Sequence, residues 1–569
     1  MTPVDSWKAH SSKLQRSLNT LCCATVISLS AASSWGAESP LHQRIDVAIG
    51  AGLTEFENLA ADDAGDAAFA RRLYLDLAGT IPSAEQARQF LADGSPDKRA
   101  KLIDQLLGSP HHARRMQYAF DTMLMERRPD KHIKADQWRN FLRQSFAEGK
   151  PWDELVAEML TADGSDEQSR PAAKFLLDRE LKTDAMTRDL GRIFLGRDLQ
   201  CAQCHDHPNI DDYLQRHYHG LAAFLNRSYL FTDPESKQAS IGEKADGTVK
   251  FTSVFTSESD ETAPRVLELP PIEDPPLADE PYTVKPDKKV RSVPVYSRRL
   301  QLALAMTDSS NVAFRRNIVN RLWAMMMGRG IVEPVDMSHS GNPPSHPALL
   351  DLLAEEFHEH NYDVRYLLRE LALTKTYQRS SLYKVGAENL ADDRFAVALL
   401  KPLTPEQLAW SMMQATSLTD ATLDDLKTQY LLADAENDPA QIEDLLWQEE
   451  ALHDSLKSHV DTFVGFFGVA GIQTSQFDAS ANQALFLRNG AELQNWLEPS
   501  GQRLTAHLAT LDGPQLVDEF YFSVFSRPPN AEEVQQVTMF LEEYKENRDA
   551  AIEQLVWAAL SSAEFRFNH

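Results

Sequence analysis

Cys201 and Cys204 stand three positions apart and are followed at once by His205, the sharpest chemical pattern in the chain. Cys-x-x-Cys-His is the attachment sequence for haem c. Two thiols on one turn can add to the two vinyl groups of a porphyrin, which brings the next residue, His205, under the iron. The chain has 4 cysteines and 17 histidines. Cys22 and Cys23 fall in a stretch that reads as a leader, so the mature protein would hold only the two motif thiols. The same residues admit other chemistry. Cys201 and Cys204 could close a short disulfide, or the motif could be inert. The pair could also bind zinc with His205, His207, His217 and His219, in a neighbourhood that includes Asp206, Asp211 and Asp212. For a haem iron, His217 and His219 are the nearest candidates for a sixth ligand. His339 and His346, with Met337, form a second group beside a rigid turn. No Gly-x-Ser-x-Gly elbow, His-Glu-x-x-His helix, phosphate loop or dinucleotide fingerprint occurs elsewhere.

These residues need elements to hold them, and the pattern is mainly α. Arg71 to Leu77 is a short helical stretch ending at Gly79. Ser83, with Gln86 three residues on, reads as a helix N-cap. A helix near Ser95-Pro96-Asp97 carries Leu102, Ile103, Leu106 and Leu107 on one face. Segments 136–162 and 184–200 repeat this amphipathic pattern, the second running into the cysteines. Prolines 264, 270, 271, 275, 276, 281, 286 and 294 then exclude a long helix. Short β-prone pieces such as 249–255 predict a small strand pair there. Helical periodicity resumes at Tyr296, where Phe314, Ile318, Leu322 and Met326 form one apolar stripe that ends at Gly328. Thr404-Pro405-Glu406-Gln407 opens another helix. Residues 481–567 read as four more.

The organisation expected is therefore a signal peptide over 1–37, an N-terminal helical domain with the motif over 45–230 and a proline-rich connector over 231–295. A helical domain over 296–400 and a C-terminal helical region over 401–569 follow. The leader reading rests on basic Lys8, Lys13 and Arg16, an apolar run from Leu21 to Ala32, and small residues to Ala37. It predicts a periplasmic or secreted protein. No other stretch is long and apolar enough to span a membrane. With 84 acidic against 57 basic residues, a net charge of -27 argues against nucleic acid or anionic lipid as a partner, since both would be repelled.

Several longer stretches carry a family resemblance. Arg71–Gly79 with Pro82, Leu106-Leu107-Gly108-Ser109-Pro110-His111, and Phe194-Leu195-Gly196 leading to Cys201-Ala202-Gln203-Cys204-His205-Asp206-His207-Pro208 resemble the planctomycete-type, cytochrome-associated domain of unknown function (the PSCyt type). Asn317–Trp323, Gly328-Arg329-Gly330 and Asn342-Pro343-Pro344-Ser345-His346-Pro347 resemble its usual companion, the PSD-type domain. Phe525-Ser526-Arg527-Pro528-Pro529 and Ser562-Ala563-Glu564-Phe565 fit that companion too. The resemblance implies an exported protein found with cytochrome-type domains and with sulfatase-like proteins, and it implies no reaction. Two functions follow as expectations. One is an exported c-type haem protein passing electrons to or from a partner enzyme. The other is an exported structural or hydrolase-associated module whose Cys/His cluster binds zinc or forms a disulfide.

Overall fold

Two of the helix starts marked in the sequence are closed by side-chain caps in the computed structural model, which describes residues 39–51, 56–252, 259–434, 437–468 and 480–569. Ser83 Oγ accepts from the Gln86 backbone N–H, and the Ser83 N–H donates to the Gln86 side chain. Thr404 and Gln407 make the same reciprocal pair, with Pro405 at the first helical position, where a missing N–H costs nothing. The four apolar residues expected on one face, Leu102, Ile103, Leu106 and Leu107, are all buried. The leader expected over 1–37 lies outside the described residues.

The chain is 59% helical, and its sheets have two strands each. The mainly α class is thus what forms. After helical segments at Leu41–Gly50 and Phe56–Leu59, the first part of the chain includes helices α1 (Asp66–Leu77), α2 (Pro110–Met125), α3 (Ala135–Ala147), α4 (Trp152–Thr161), α5 (Thr183–Leu195) and α6 (Gln215–Leu225). The proline-rich stretch follows. In it β1 (Ser228–Thr232) pairs antiparallel with β2 (Ala239–Glu243), and β3 (Val249–Thr252) pairs with β4 (Ser259–Thr262). Of the strand expected over 249–255, the last three residues lie outside the described ones. Helices α7 (Arg298–Thr307), α8 (Val312–Met327), α9 (Pro347–Glu359) and α10 (Val364–Leu373) come next, then α11 (Pro405–Ala415) and α12 (Leu445–Phe467). The tail forms seven α-helices from Ala481 to Arg566 rather than four, with breaks that include Gly490, Gly501 and Pro528-Pro529. Among the described residues no helix is long and apolar enough to cross a membrane.

Two apolar clusters fill the unit Leu41–His569. The first joins residues on both sides of the proline-rich stretch: Trp138, Trp152, Phe194 and Leu221 pack with Phe314, Trp323, Leu353 and Phe357. Trp152 and Phe314 stack with ring centroids 6.3 Å apart. The second is built from α11, α12 and the tail, around Phe463, Trp496, Phe520 and Ile552. Helix α1 serves both. Phe69, Leu73 and Leu77, four residues apart, face the first cluster, and Leu75 faces the second.

Arg71, Arg72 and Asp76 of α1 are buried as well, and each is hydrogen-bonded. Arg71 donates to the carbonyls of Val524 (3.0 Å) and Phe565 (3.2 Å). Arg72 donates to the carbonyls of Tyr377 and Arg379. Asp76 accepts from Lys401 Nζ at 2.6 and 2.7 Å, from the Tyr377 hydroxyl at 2.9 Å and from Asn568 Nδ2 at 2.9 Å. Such bonds offset the cost of burying charged groups. One helix therefore ties together segments almost 500 residues apart in sequence.

Candidate functional site around Cys201, Cys204 and His205

The motif sits on the loop that leaves α5. That helix ends at Gly196 in the left-handed region, with φ 67°. A Cβ there would lie 2.9 Å from Asn317 Oδ1, so both the backbone and the approach of α8 require glycine. Asn317 Nδ2 in turn donates to the Ile193 carbonyl at 2.6 Å. Beyond the glycine the chain is zipped to the segment after α8. The Asp198 N–H donates to the Asp336 carbonyl at 3.0 Å, the Ser338 N–H donates to the Gly196 carbonyl at 2.9 Å, and Arg197 bridges Met337.

Cys201–Gln203 then form a single tight helical turn, closed by the Cys204 N–H on the Cys201 carbonyl at 3.3 Å. Leu199 and Ala202 are fully buried and pin the turn down. Cys201 and Cys204 face outward, and both thiols are free and exposed. A period-three turn with one buried position per repeat leaves its two cysteines on the solvent side together. His205 Nδ1 lies 2.7 Å from the Asp206 carbonyl, so that nitrogen carries the proton. Asp206 Oδ1 accepts from the Gln215 N–H at 2.6 Å and so starts α6.

The remaining expected ligands are dispersed. His219 Nε2 donates to the Gln203 carbonyl at 3.1 Å, and its ring stacks on Phe251 with centroids 4.3 Å apart and planes 4° apart. This histidine braces the motif through its backbone. His217 is buried, with Nδ1–H on the Asp212 carbonyl at 3.0 Å and Nε2 without a hydrogen-bond partner. Burial holds its pKa below the ordinary histidine value. His207 Nδ1 accepts from the Asn209 N–H at 3.2 Å. Among the described residues no group of three or more His, Cys, Asp or Glu side chains is placed to hold a metal ion.

Of the second histidine group, His339 and Met337 are brought to the motif loop and His346 is not. His346 is buried against Phe395. Tyr213 lies between His207 and His339, at 5.9 and 5.6 Å ring to ring, and its hydroxyl donates to the Ser338 carbonyl at 3.3 Å. Burial raises the pKa of Tyr213, and likewise of Tyr218, which has Asp184 and Cys204 near it. Asp212 accepts from both the hydroxyl and the backbone N–H of Ser340, each at 2.6 Å. Next to this loop a cavity of about 290 Å³ is lined by Gly196, Arg197, Val266, Asn317 and Ser338. Neither Cys201, Cys204 nor His205 lines it.

Sequence reasoning missed Tyr213, Ser340 and Phe251 in this site. Asp212 and Tyr213 follow the motif within ten residues, and a search of that window for acceptors and rings could have singled them out. Ser340 and Phe251 carry no local signal.

The donor set fits a covalently held haem. Two free, exposed thiols share one turn, and the histidine that follows has its Nδ1 oriented by a carbonyl. Residues 44–229 match the family described as PSCyt2, a protein of unknown function (DUF1549). Residues 298–541 match PSD1, a protein of unknown function (DUF1553). No curated protein matches the chain. No solved structure matches it either.

Proposed function

From a chain that carries a PSCyt2 domain followed by a PSD1 domain, we propose an exported c-type haem protein that passes electrons to or from a partner enzyme. The observation that carries this reading is the exposure of both thiols on the one turn that also presents His205. Attachment needs no oxidant. Each thiol adds across a vinyl double bond, sulfur bonding to one carbon and the thiol hydrogen passing to the other. Cys201 and Cys204 would hold the porphyrin, and His205 would ligate through Nε2 while the Asp206 carbonyl holds its Nδ1 proton and ring orientation. Bound haem supplies reversible one-electron exchange. Export is part of the reading, because haem c is attached outside the cytoplasm. The acidic surface suits a redox partner with a cationic docking patch.

The same exposure favours a second reading, an exported non-redox structural or hydrolase-associated module in which the oxidants of the compartment outside the cytoplasm take two electrons from Cys201 and Cys204 to leave a disulfide. A zinc ion bound at these thiols with nearby histidines belongs to that alternative. Intact mass separates the two. The full chain is produced in a periplasm that holds haem-maturation machinery, and its mass is compared with that of Cys201→Ser/Cys204→Ser. One added haem per chain, lost in the double variant, supports the first reading. Two free thiols or a loss of two hydrogens, with no haem, overturns the first, and the loss of two hydrogens supports the second.

A further inference from the structure

The second apolar cluster meets α2 at a small cavity, and an arginine inside it has nothing to bind. Arg115 is 7% exposed and lines a cavity of about 50 Å³ together with Thr80, His111, Tyr118, Glu406 and Trp410. Its Nε has no hydrogen-bond partner, and among the described residues its guanidinium joins no ion pair. The two carboxylates whose charge it feels, Asp76 and Glu406, are already engaged. Asp76 is held by Lys401. Glu406 is held by Arg127 at 2.6 and 3.1 Å. Glu449, on the same wall, is held by Arg114 at 2.7 and 3.1 Å. Each of these carboxylates is already bonded to another cation, which leaves Arg115 with no ion-pair partner of its own. A buried ion in this state is costly, and it marks a position where a ligand completes the structure.

Other features of the cavity agree. Thr80 Oγ is a second buried polar atom on its wall without a partner. Gly79, at φ 79°, lies against the aliphatic stem of Arg115, where a Cβ would come within 3.1 Å of Cδ. The stem is thereby packed in place with its head group left over. Tyr118 and Trp410 add ring surface beside these donors.

We propose that this cavity binds the carboxylate group of a small organic acid, gripped by the Arg115 guanidinium with the Thr80 hydroxyl as a further donor. A planar guanidinium presents paired N–H groups that match the two oxygens of a carboxylate. Size points the same way. A space of about 50 Å³ suits a small carboxylate and not a large ligand. The site takes Thr80 and Arg115 from the PSCyt2 portion and Glu406 and Trp410 from the PSD1 portion. It is complete only when the two occur in one folded chain, and it is independent of the thiol motif.

Calorimetric titration of the full chain with acetate, propionate, inorganic phosphate and acetamide at matched ionic strength tests the proposal. Acetate and propionate should saturate one site, with acetamide weaker by about tenfold or more for want of a charge-assisted bond. Arg115→Lys keeps the charge but loses the fork, and should weaken acetate by about tenfold. Thr80→Val should weaken it by a smaller factor and decides the matter if the arginine variant does not fold. The proposal is overturned if neither carboxylate saturates the wild type, which would make the cavity a water site. Tighter binding of phosphate than of either carboxylate overturns it too, as does wild-type affinity in the folded variants.

Discussion

Ser340 holds Asp212 with two hydrogen bonds of 2.6 Å, one from its hydroxyl and one from its backbone N–H, across 128 residues of sequence. Asp212 belongs to the loop that follows the Cys-x-x-Cys-His turn, and Ser340 belongs to the segment after α8 that the loop is zipped against. The contact joins the two family-matched portions at the proposed haem site. The Ser340 hydroxyl, followed by its backbone N–H and the nearby Arg197 and His339, holds the Asp212 carboxyl below its ordinary pKa against the opposing effect of burial.

Ser340→Ala removes one of the two bonds and leaves the other. Since the pair is largely exposed, the loss of global stability should be on the order of 1 kcal/mol or less. The local effect should be larger. Amide hydrogen exchange over 205–214 should speed up while the helical cores stay protected. A carboxyl whose folded pKa is lowered contributes stability above its unfolded pKa and loses it as pH falls through the folded value. Asp212→Asn should therefore remove part of the acid-induced loosening of this loop below about pH 4. Unchanged exchange in both variants would show that the tether does not hold the loop.

Gly196→Ala introduces a side chain at φ 67°, 2.9 Å from Asn317 Oδ1. Left-handed backbone in a non-glycine residue costs about 1–3 kcal/mol before any clash is counted. Denaturant unfolding should show at least this loss, and haem incorporation should fall with it because the turn is displaced. A fully stable Gly196→Ala would contradict the close approach of α8.

Asp76→Asn leaves Lys401 without its counter-charge at the junction of the two clusters. Breaking one partner of a buried pair costs about 3–5 kcal/mol. Calorimetry should show either a large drop in Tm or separation into two transitions, with the α11, α12 and tail cluster melting apart from the first. A loss below about 1 kcal/mol would mean that this network does not join the clusters.

Burial pushes the Asp153 carboxyl up to about 6, and its Oδ1 has no hydrogen-bond partner. A raised folded pKa contributes stability that is fully present below the unfolded value near 3.8 and is lost as pH rises through about 6. Asp153→Asn should match the wild type near pH 4 and melt about 1–2 °C higher at pH 8. A variant less stable than wild type at pH 8 would contradict this sign.

What could be read from the sequence was local. Ser83 with Gln86 and Thr404 with Gln407 announce their helices because a cap and its partner lie within one turn. The stripe Phe314, Ile318, Leu322 and Met326 shows its buried face by spacing alone. The position of the Cys201–His205 turn was legible for the same reason. Its surroundings were not. Nothing in the residues near Asp212 points to Ser340, and nothing near His219 points to Phe251, since such pairs are set by how distant helices pack. His207, His217 and His219 looked like one ligand set because they are close in sequence. In the fold, Tyr213, the Asp212 carbonyl and the Gln203 carbonyl hold them in separate places. Arg71, Arg72 and Asp76 carry no local sign of their partners, for they bind carbonyls and side chains more than 300 residues away.

The reduced-minus-oxidised absorption spectrum of the full chain, matured in a periplasm competent for haem c, decides whether Cys201, Cys204 and His205 hold a haem. A sharp α-band is expected to survive denaturation and acid–acetone extraction, because a porphyrin bonded to Cys201 and Cys204 would be covalently held. The band should be lost or shifted in Cys204→Ser and weakened in His205→Ala. A folded wild-type chain with no α-band and with its two thiols free or oxidised would contradict haem attachment.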